Sequence, residues 1–191
     1  GNYRDGIYID SSNDDVLLLN DRVHENGSDR AGARLQGLRA VVSGGEYYGG
    51  RYGLQLYGVE ALVEGVEAYG NNIGGIYASG NGTVVQDNLA HDNVTWGIYG
   101  GSGVLVTGNT VYGQDGSGDA GISSSGAVVS ENEIYGNFYG VDGSGRIEAN
   151  RIYGNTAAGV RLTGGATVKG NEIYGNREGV RLDAYTSGAL V

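Results

Sequence analysis

The stretch "ENEIYGN" at 131–137 returns as "ANRIYGN" at 149–155, as "GNEIYGN" at 170–176 and, more loosely, as "GNTVYGQ" at 108–114. A catalytic motif normally occurs once, whereas a motif recurring at a fixed interval marks a structural repeat. Aligned on the aliphatic residue, the chain offers eight anchors: Val23, Tyr47, Ala68, Leu89, Val111, Ile134, Ile152 and Ile173. Their separations are 24, 21, 21, 22, 23, 18 and 21 residues, a period near 21. Such a period points to a solenoid in which no unit buries its own apolar face and stability comes from stacking.

Each unit carries more than the anchor. Five residues before it lies a second apolar column, Leu18, Val42, Val63, Val84, Val106, Val129, Ile147 and Val168. Two residues earlier stand Val16, Ala40, Ala61, Gly82, Val104, Ala127, Gly145 and Ala166, completing a short alternating strand. A Gly-aliphatic pair then recurs from Gly6-Ile7 through Gly75-Ile76 and Gly140-Val141 to Gly179-Val180. Three short strands per unit follow. The 39 glycines interrupt nearly every candidate helix, at about 1 kcal/mol each relative to Ala. With no proline and no Gly-X-Y period, collagen is excluded. The expected fold is one all-β domain over residues 1–191, a single-stranded right-handed parallel β-helix of about nine rungs.

The recurring Asn, at 109, 132, 150 and 171 in the last four rungs, belongs at a bend, where its amide can bond its own turn and the next rung. Glycines 136, 154 and 175 supply positive φ beside it. The Tyr column, Tyr48, Tyr69, Tyr112, Tyr135, Tyr153 and Tyr174, predicts outward rings stacked rung over rung, interrupted at His24 and Ala90. That alignment sets the chain's two histidines, His24 and His91, in different columns. A second outward column follows the Gly-aliphatic pairs: Tyr8, Arg34, Gln55, Tyr77, Tyr99, Ser123, Asp142, Arg161 and Arg181. Its mixture of rings and charges is less uniform than a scaffold requires. We expect ligand contact there, with Tyr8, Gln55, Tyr77, Tyr99, Arg161 and Arg181 as the binding residues.

With the repeat in view, the sequence resembles the right-handed parallel β-helix superfamily. Segments such as "GNEIYGNREGVRL" at 170–182 and "DRVHEN" at 21–26 are most similar to the later rungs of the mannuronan C5-epimerase catalytic module. That resemblance implies a secreted protein acting on alginate in a groove along the parallel sheets, often beside calcium-binding modules. The family's catalytic segment reads Tyr-Gly-Phe-Asp-Pro-His. Its nearest counterpart here is Tyr139-Gly140-Val141-Asp142, with Gly143 and Ser144 where Pro and His are expected. The resemblance therefore implies Tyr139 and Asp142 as catalytic groups, with Arg161 to neutralise a uronate carboxylate. No convincing base completes them.

Composition narrows the partners. Twenty-two acidic residues against twelve basic ones give a net charge of −10, which argues against nucleic acid. No apolar run of spanning length is visible, so membrane insertion is not expected. The chain lacks a starting Met and begins already within the repeat, as an excised segment with neighbouring domains would. No cofactor is required. Asp115, Ser117 and Asp119, in the long loop "GQDGSGDA" at 113–120, alternate oxygen groups as the start of a calcium loop does. A second long loop, "NGSDRA", spans 26–31. The leading expectation is a noncatalytic scaffold or polysaccharide-binding module of an extracellular or cell-surface protein, whose partner is alginate, another polyuronate or a different polysaccharide. The alternative is a reduced alginate epimerase or related polyuronate-active enzyme.

Overall fold

The computed structural model describes residues 2–27, 29–183, 190 and 191, so Ser28 of the loop at 26–31 lies outside the described residues. The chain winds into a parallel β-helix. A representative turn runs through strands Tyr52–Leu56, Leu62–Glu64 and Glu67–Tyr69. First strands stack from Ile7–Ile9 to Glu178–Leu182, second strands begin with Leu17–Leu19, and third strands stack from Arg22–His24 to Glu172–Tyr174. In the later turns first and second strands run together, as in Ala120–Ser130 and Tyr139–Glu148, with register shifts at Ser125/Ala127 and Gly143/Gly145. The result is a fourteen-stranded sheet and an eight-stranded sheet, about eight turns in all, with no helix among the described residues.

The inner columns hold the core. Leu54, Ile76, Ile98, Ile122, Val141 and Val160 lie one above another and are fully buried, as are Val42, Val63, Val106 and Ile147. Burial of each such side chain contributes about 1.5–3 kcal/mol. The Gly before each aliphatic is required by close approach: a Cβ on Gly53 would stand 2.7 Å from the carbonyl oxygen of Gly75 on the next turn. At the corner after each Tyr the reason differs, because Gly136, Gly154 and Gly175 have φ near +64°, +63° and +64°.

Two asparagine ladders bind the turns at their bends. In one, Asn88, Asn109, Asn132, Asn150 and Asn171 follow each other, and each Oδ1 accepts from the backbone N–H and the Nδ2 of the Asn before it. Asn132 Nδ2 also donates to the carbonyls of Val106 and Ser130, at 3.0 and 2.9 Å. In the other ladder Asn71 bonds Asn93, and Asn137, Asn155 and Asn176 form a second run. Gln114 stands between the runs.

One expectation is corrected throughout a single turn. The fourth anchor is Ala90, not Leu89: Ala90 pairs with Ala68 and Val111 and is fully buried, while Leu89 faces outward. Likewise Val85 replaces Val84 in the core, and Thr83 replaces Gly82. Val84-Val85 and Leu89-Ala90 are each two apolar residues in a row, so alternation alone leaves the parity open, and a one-residue slip exchanges inside for outside. Asn88 decides it by entering the ladder, where Asp87 had been aligned.

The same slip had separated the histidines. His24, Tyr48, Tyr69, His91, Tyr112, Tyr135, Tyr153 and Tyr174 form one unbroken ring stack, with centroids 4.7–5.1 Å apart and planes within 14°. His24 and His91 share that column, three turns apart, and Ala90 does not interrupt it.

Candidate functional site

The first strands carry the outward column predicted above, in uninterrupted register from Tyr8 through Arg34, Gln55, Tyr77, Tyr99, Ser123, Asp142 and Arg161 to Arg181. The alternation of each strand places these side chains on one face, since the aliphatic before each points inward. The face has three differently built regions.

At the N-terminal end Tyr8 is half-exposed, and its hydroxyl donates to Gln36 Oε1 at 3.2 Å. Arg34 reaches Gln55 Oε1 at 3.1 Å and pairs with Asp5 at 3.4 Å. Gln55 is only 3% exposed, so its amide is a support for Arg34 and not a contact surface.

The centre is aromatic. Tyr77 and Tyr99 stack with centroids 4.7 Å apart and planes 4° from parallel. Trp96 packs beside them, 6.1 and 5.9 Å away, and 5.6 Å from Tyr52; Tyr57 joins at 5.4 Å from Tyr77. The side chain at 96 belongs to the residue before the Gly-aliphatic pair, a position held by Tyr52 and Gly74 on the two preceding turns. A Cβ on Gly74 would collide with the indole ring, so the glycine makes the room. Trp96 was missed in reading the repeat. Its signal was the chain's one Trp aligned with a Gly one turn earlier.

At the C-terminal end Tyr139, Asp142 and Arg161 do come together. Arg161 donates from Nε and a terminal nitrogen to the two oxygens of Asp142, at 2.8 and 2.7 Å, and its guanidinium carbon sits 4.3 Å from the Tyr139 ring centroid. Burial alone would weaken the arginine's hold on its proton, but the bonds to Asp142 and Tyr139 outweigh it and keep the guanidinium above its usual range. Asp183 stands 3.9 Å from Arg161 and accepts from Arg181 at 2.8 Å. Tyr139 is 6% exposed, packed with Ala120, Ala158 and Phe138. The three groups form one charge-paired cluster. Both carboxylate oxygens of Asp142 are engaged, and the charge of Arg161 is already matched. His24 and His91 lie on the other sheet, where His91 contacts Glu67 at 3.1 Å and Asp92 at 2.8 Å.

The loop at 113–120 places Asp115 and Asp119 in one cleft with Asp92 and Asn93, and Ser117 is exposed nearby. Burial, and then the neighbouring Asp115, push the Asp119 carboxyl above its usual value. Calcium takes about six to eight oxygens. Among the described residues no three acidic or imidazole side chains are grouped to hold a metal ion. The loop's two carboxylates, with Asp92 which also meets His91, supply part of an oxygen cage.

The fold has a counterpart among solved structures. The A-module of the mannuronan C-5 epimerase AlgE6 of Azotobacter vinelandii superposes with a TM-score of 0.71 at 18% identity, covering 93% of this chain and 64% of that one. At that identity the likeness is one of fold, and the chain spans less than two thirds of the module's length. No curated protein matches the chain significantly. The family model described as right handed beta helix region matches residues 1–142 and 52–191, which together span the whole chain, and the chain belongs to that family.

Proposed function

We propose that the protein is a noncatalytic polysaccharide-binding module of an extracellular or cell-surface protein, taking its ligand along the outer face of the first strands. The observation that carries this is the cluster of Tyr52, Tyr57, Tyr77, Trp96 and Tyr99, in mutual ring contact and half-buried to exposed at the outer face of the first strands. Sugar rings present apolar C–H faces to such surfaces, while the hydroxyls find polar groups alongside. Stacked rings held by a continuous sheet lose little freedom on binding.

Affinity electrophoresis of the full chain through gels containing neutral and acidic polysaccharides tests the reading. Retention by at least one polymer is expected, with loss of about tenfold or more in affinity for Trp96→Ala. Retention unchanged in Trp96→Ala, or no retention by any polymer, would overturn it.

The second reading, a reduced alginate epimerase, is favoured by the meeting of Tyr139, Asp142 and Arg161 on a fold like that of an epimerase module. Polymannuronate incubated with the protein and examined by proton NMR distinguishes the two. Guluronate signals would establish the enzyme, whereas the closed Asp142–Arg161 pair leads us to expect none.

A further inference from the structure

The arginines of this chain are unevenly partnered. Of the twelve basic residues one is Lys169, leaving eleven arginines. Seven pair with carboxylates: Arg22, Arg34, Arg39, Arg146, Arg151, Arg161 and Arg181. The other four, Arg4, Arg30, Arg51 and Arg177, have no carboxylate partner among the described residues, in a protein whose acidic groups outnumber its basic ones.

Three of them, Arg4, Arg30 and Arg51, lie together in the fold. Tyr52 pairs with Ala31, and Asp5 Oδ1 accepts the Ala31 N–H at 2.9 Å. The residue before each is therefore Arg4, Arg30 or Arg51 on three successive turns, and the Arg51 N–H donates to the Arg30 carbonyl at 2.7 Å. All three are exposed. The column continues as Ile73, Thr95, Asp119, Phe138 and Ala157 and ends on Arg177, so arginines stand on adjacent turns only at the N-terminal end. Like charges side by side on adjacent strands are unfavourable, and among the described residues no carboxylate pairs with them. Arg4 and Arg30 line an open cleft of about 300 Å³ with Asp5 and Tyr8. Asp5 does not neutralise them, because its oxygens are taken by Arg34 and the Ala31 N–H.

We propose that Arg4 and Arg30, extended by Arg51, form a site for tetrahedral oxyanion groups, sulfate or phosphate esters, carried on a glycan that runs onward over the aromatic cluster. The assignment rests on reading this face as glycan-binding. Adjacent turns are about 4.8 Å apart, which lets two guanidinium forks converge on one group. A sulfate or phosphate ester offers three terminal oxygens to two forks, where a carboxylate offers two and is satisfied by one. Arg51 lies over the Tyr52 ring at 5.5 Å and so joins the charged cleft to the aromatic centre.

The test uses the full chain and four polymers of one backbone: hydroxyethyl cellulose and carboxymethyl, sulfate and phosphate celluloses of matched charge density, each titrated calorimetrically at two salt concentrations. The better ester is expected to bind about tenfold tighter than the carboxymethyl polymer, the worth of one further charge-assisted bond. Which ester wins identifies the group. The double variant Arg4→Gln/Arg30→Gln, whose native side chains bond no other turn among the described residues, should lose that advantage and the salt dependence. Its affinity for hydroxyethyl cellulose should be unchanged. Equal binding of the carboxymethyl and ester polymers, or an unaffected double variant, overturns the site while leaving the aromatic reading intact if hydroxyethyl cellulose still binds. No binding to any of the four overturns the site, and the gels with other polysaccharides then decide the aromatic reading separately.

Discussion

The indole of Trp96 lies across Gly74 on the preceding turn, in the space any side chain at 74 would need. This ties the only tryptophan of the chain to a glycine whose φ is ordinary, so the requirement at 74 is one of room and not of backbone conformation. Gly74→Ala should therefore displace the ring, at about 1–3 kcal/mol for the overpacking. Because Trp96 is the sole indole, its fluorescence reports the movement directly. An unchanged emission maximum with unchanged stability would show that the indole does not occupy that space.

Asn132 sits midway along the longer ladder. Its removal in Asn132→Ala leaves the Asn109 N–H and the Val106 carbonyl without their partners in a buried bend. Each lost partner costs about 1–3 kcal/mol, so a loss of about 3 kcal/mol or more is expected from urea unfolding. Asn132→Asp should be similarly damaging, since the carboxylate cannot donate to Val106 and Ser130.

Gln114 breaks the second ladder. Its side chain is fully buried, and neither its amide oxygen nor its nitrogen has a partner. Asn occupies the equivalent place at 71, 93, 137, 155 and 176. Gln114→Asn should join the two runs and raise stability by about 1–2 kcal/mol, read as a higher urea midpoint with the same slope. A lower midpoint would mean that the longer side chain fills space the ladder cannot.

Tyr47 replaces the Val or Ala of neighbouring turns in the core, and its buried hydroxyl has no partner. Burial pushes that hydroxyl far above the usual phenol range, with Asp21 adding to the effect. Tyr47→Phe keeps the ring and removes the orphan oxygen, so it should stabilise the protein by about 1 kcal/mol, or raise the melting temperature by about 2–4 °C.

The raised Asp119 carboxyl carries a pH signature. A carboxylate whose folded value exceeds its unfolded value of 3.8 is protonated more readily in the native state, so it costs stability above its folded value. That cost disappears as the pH falls through the window. Asp119→Asn should stabilise the protein at neutral pH by no more than a few tenths of a kcal/mol, because solvent screens the group, and should make no difference below about pH 4. A larger benefit in acid than at neutral pH would reverse the sign and refute the assignment. Calcium titration of wild type gives an independent reading of the same loop, and a saturable rise in melting temperature would mean that the cage is completed on binding.

The repeat itself made most of the architecture legible. The period, the three strands per turn, the Gly-aliphatic pairs and the bend asparagines each follow from side-chain size and backbone freedom, which act locally and leave a regular trace. The outward column from Tyr8 to Arg181 was legible for the same reason. Where two apolar residues stand together, as at Val84-Val85 and Leu89-Ala90, local pattern has no preference, and only the hydrogen bonds of Asn88 to neighbouring turns select the inner one. The same limit separates position from availability on the outward face of the first strands. Alternation points Gln55, Asp142 and Arg161 outward, but whether they can meet a ligand depends on residues one turn away: Arg34 covers Gln55, Arg161 closes both oxygens of Asp142, and Gly74 opens the bed of Trp96. Those contacts join residues about twenty positions apart, so they exist only once the turns are stacked.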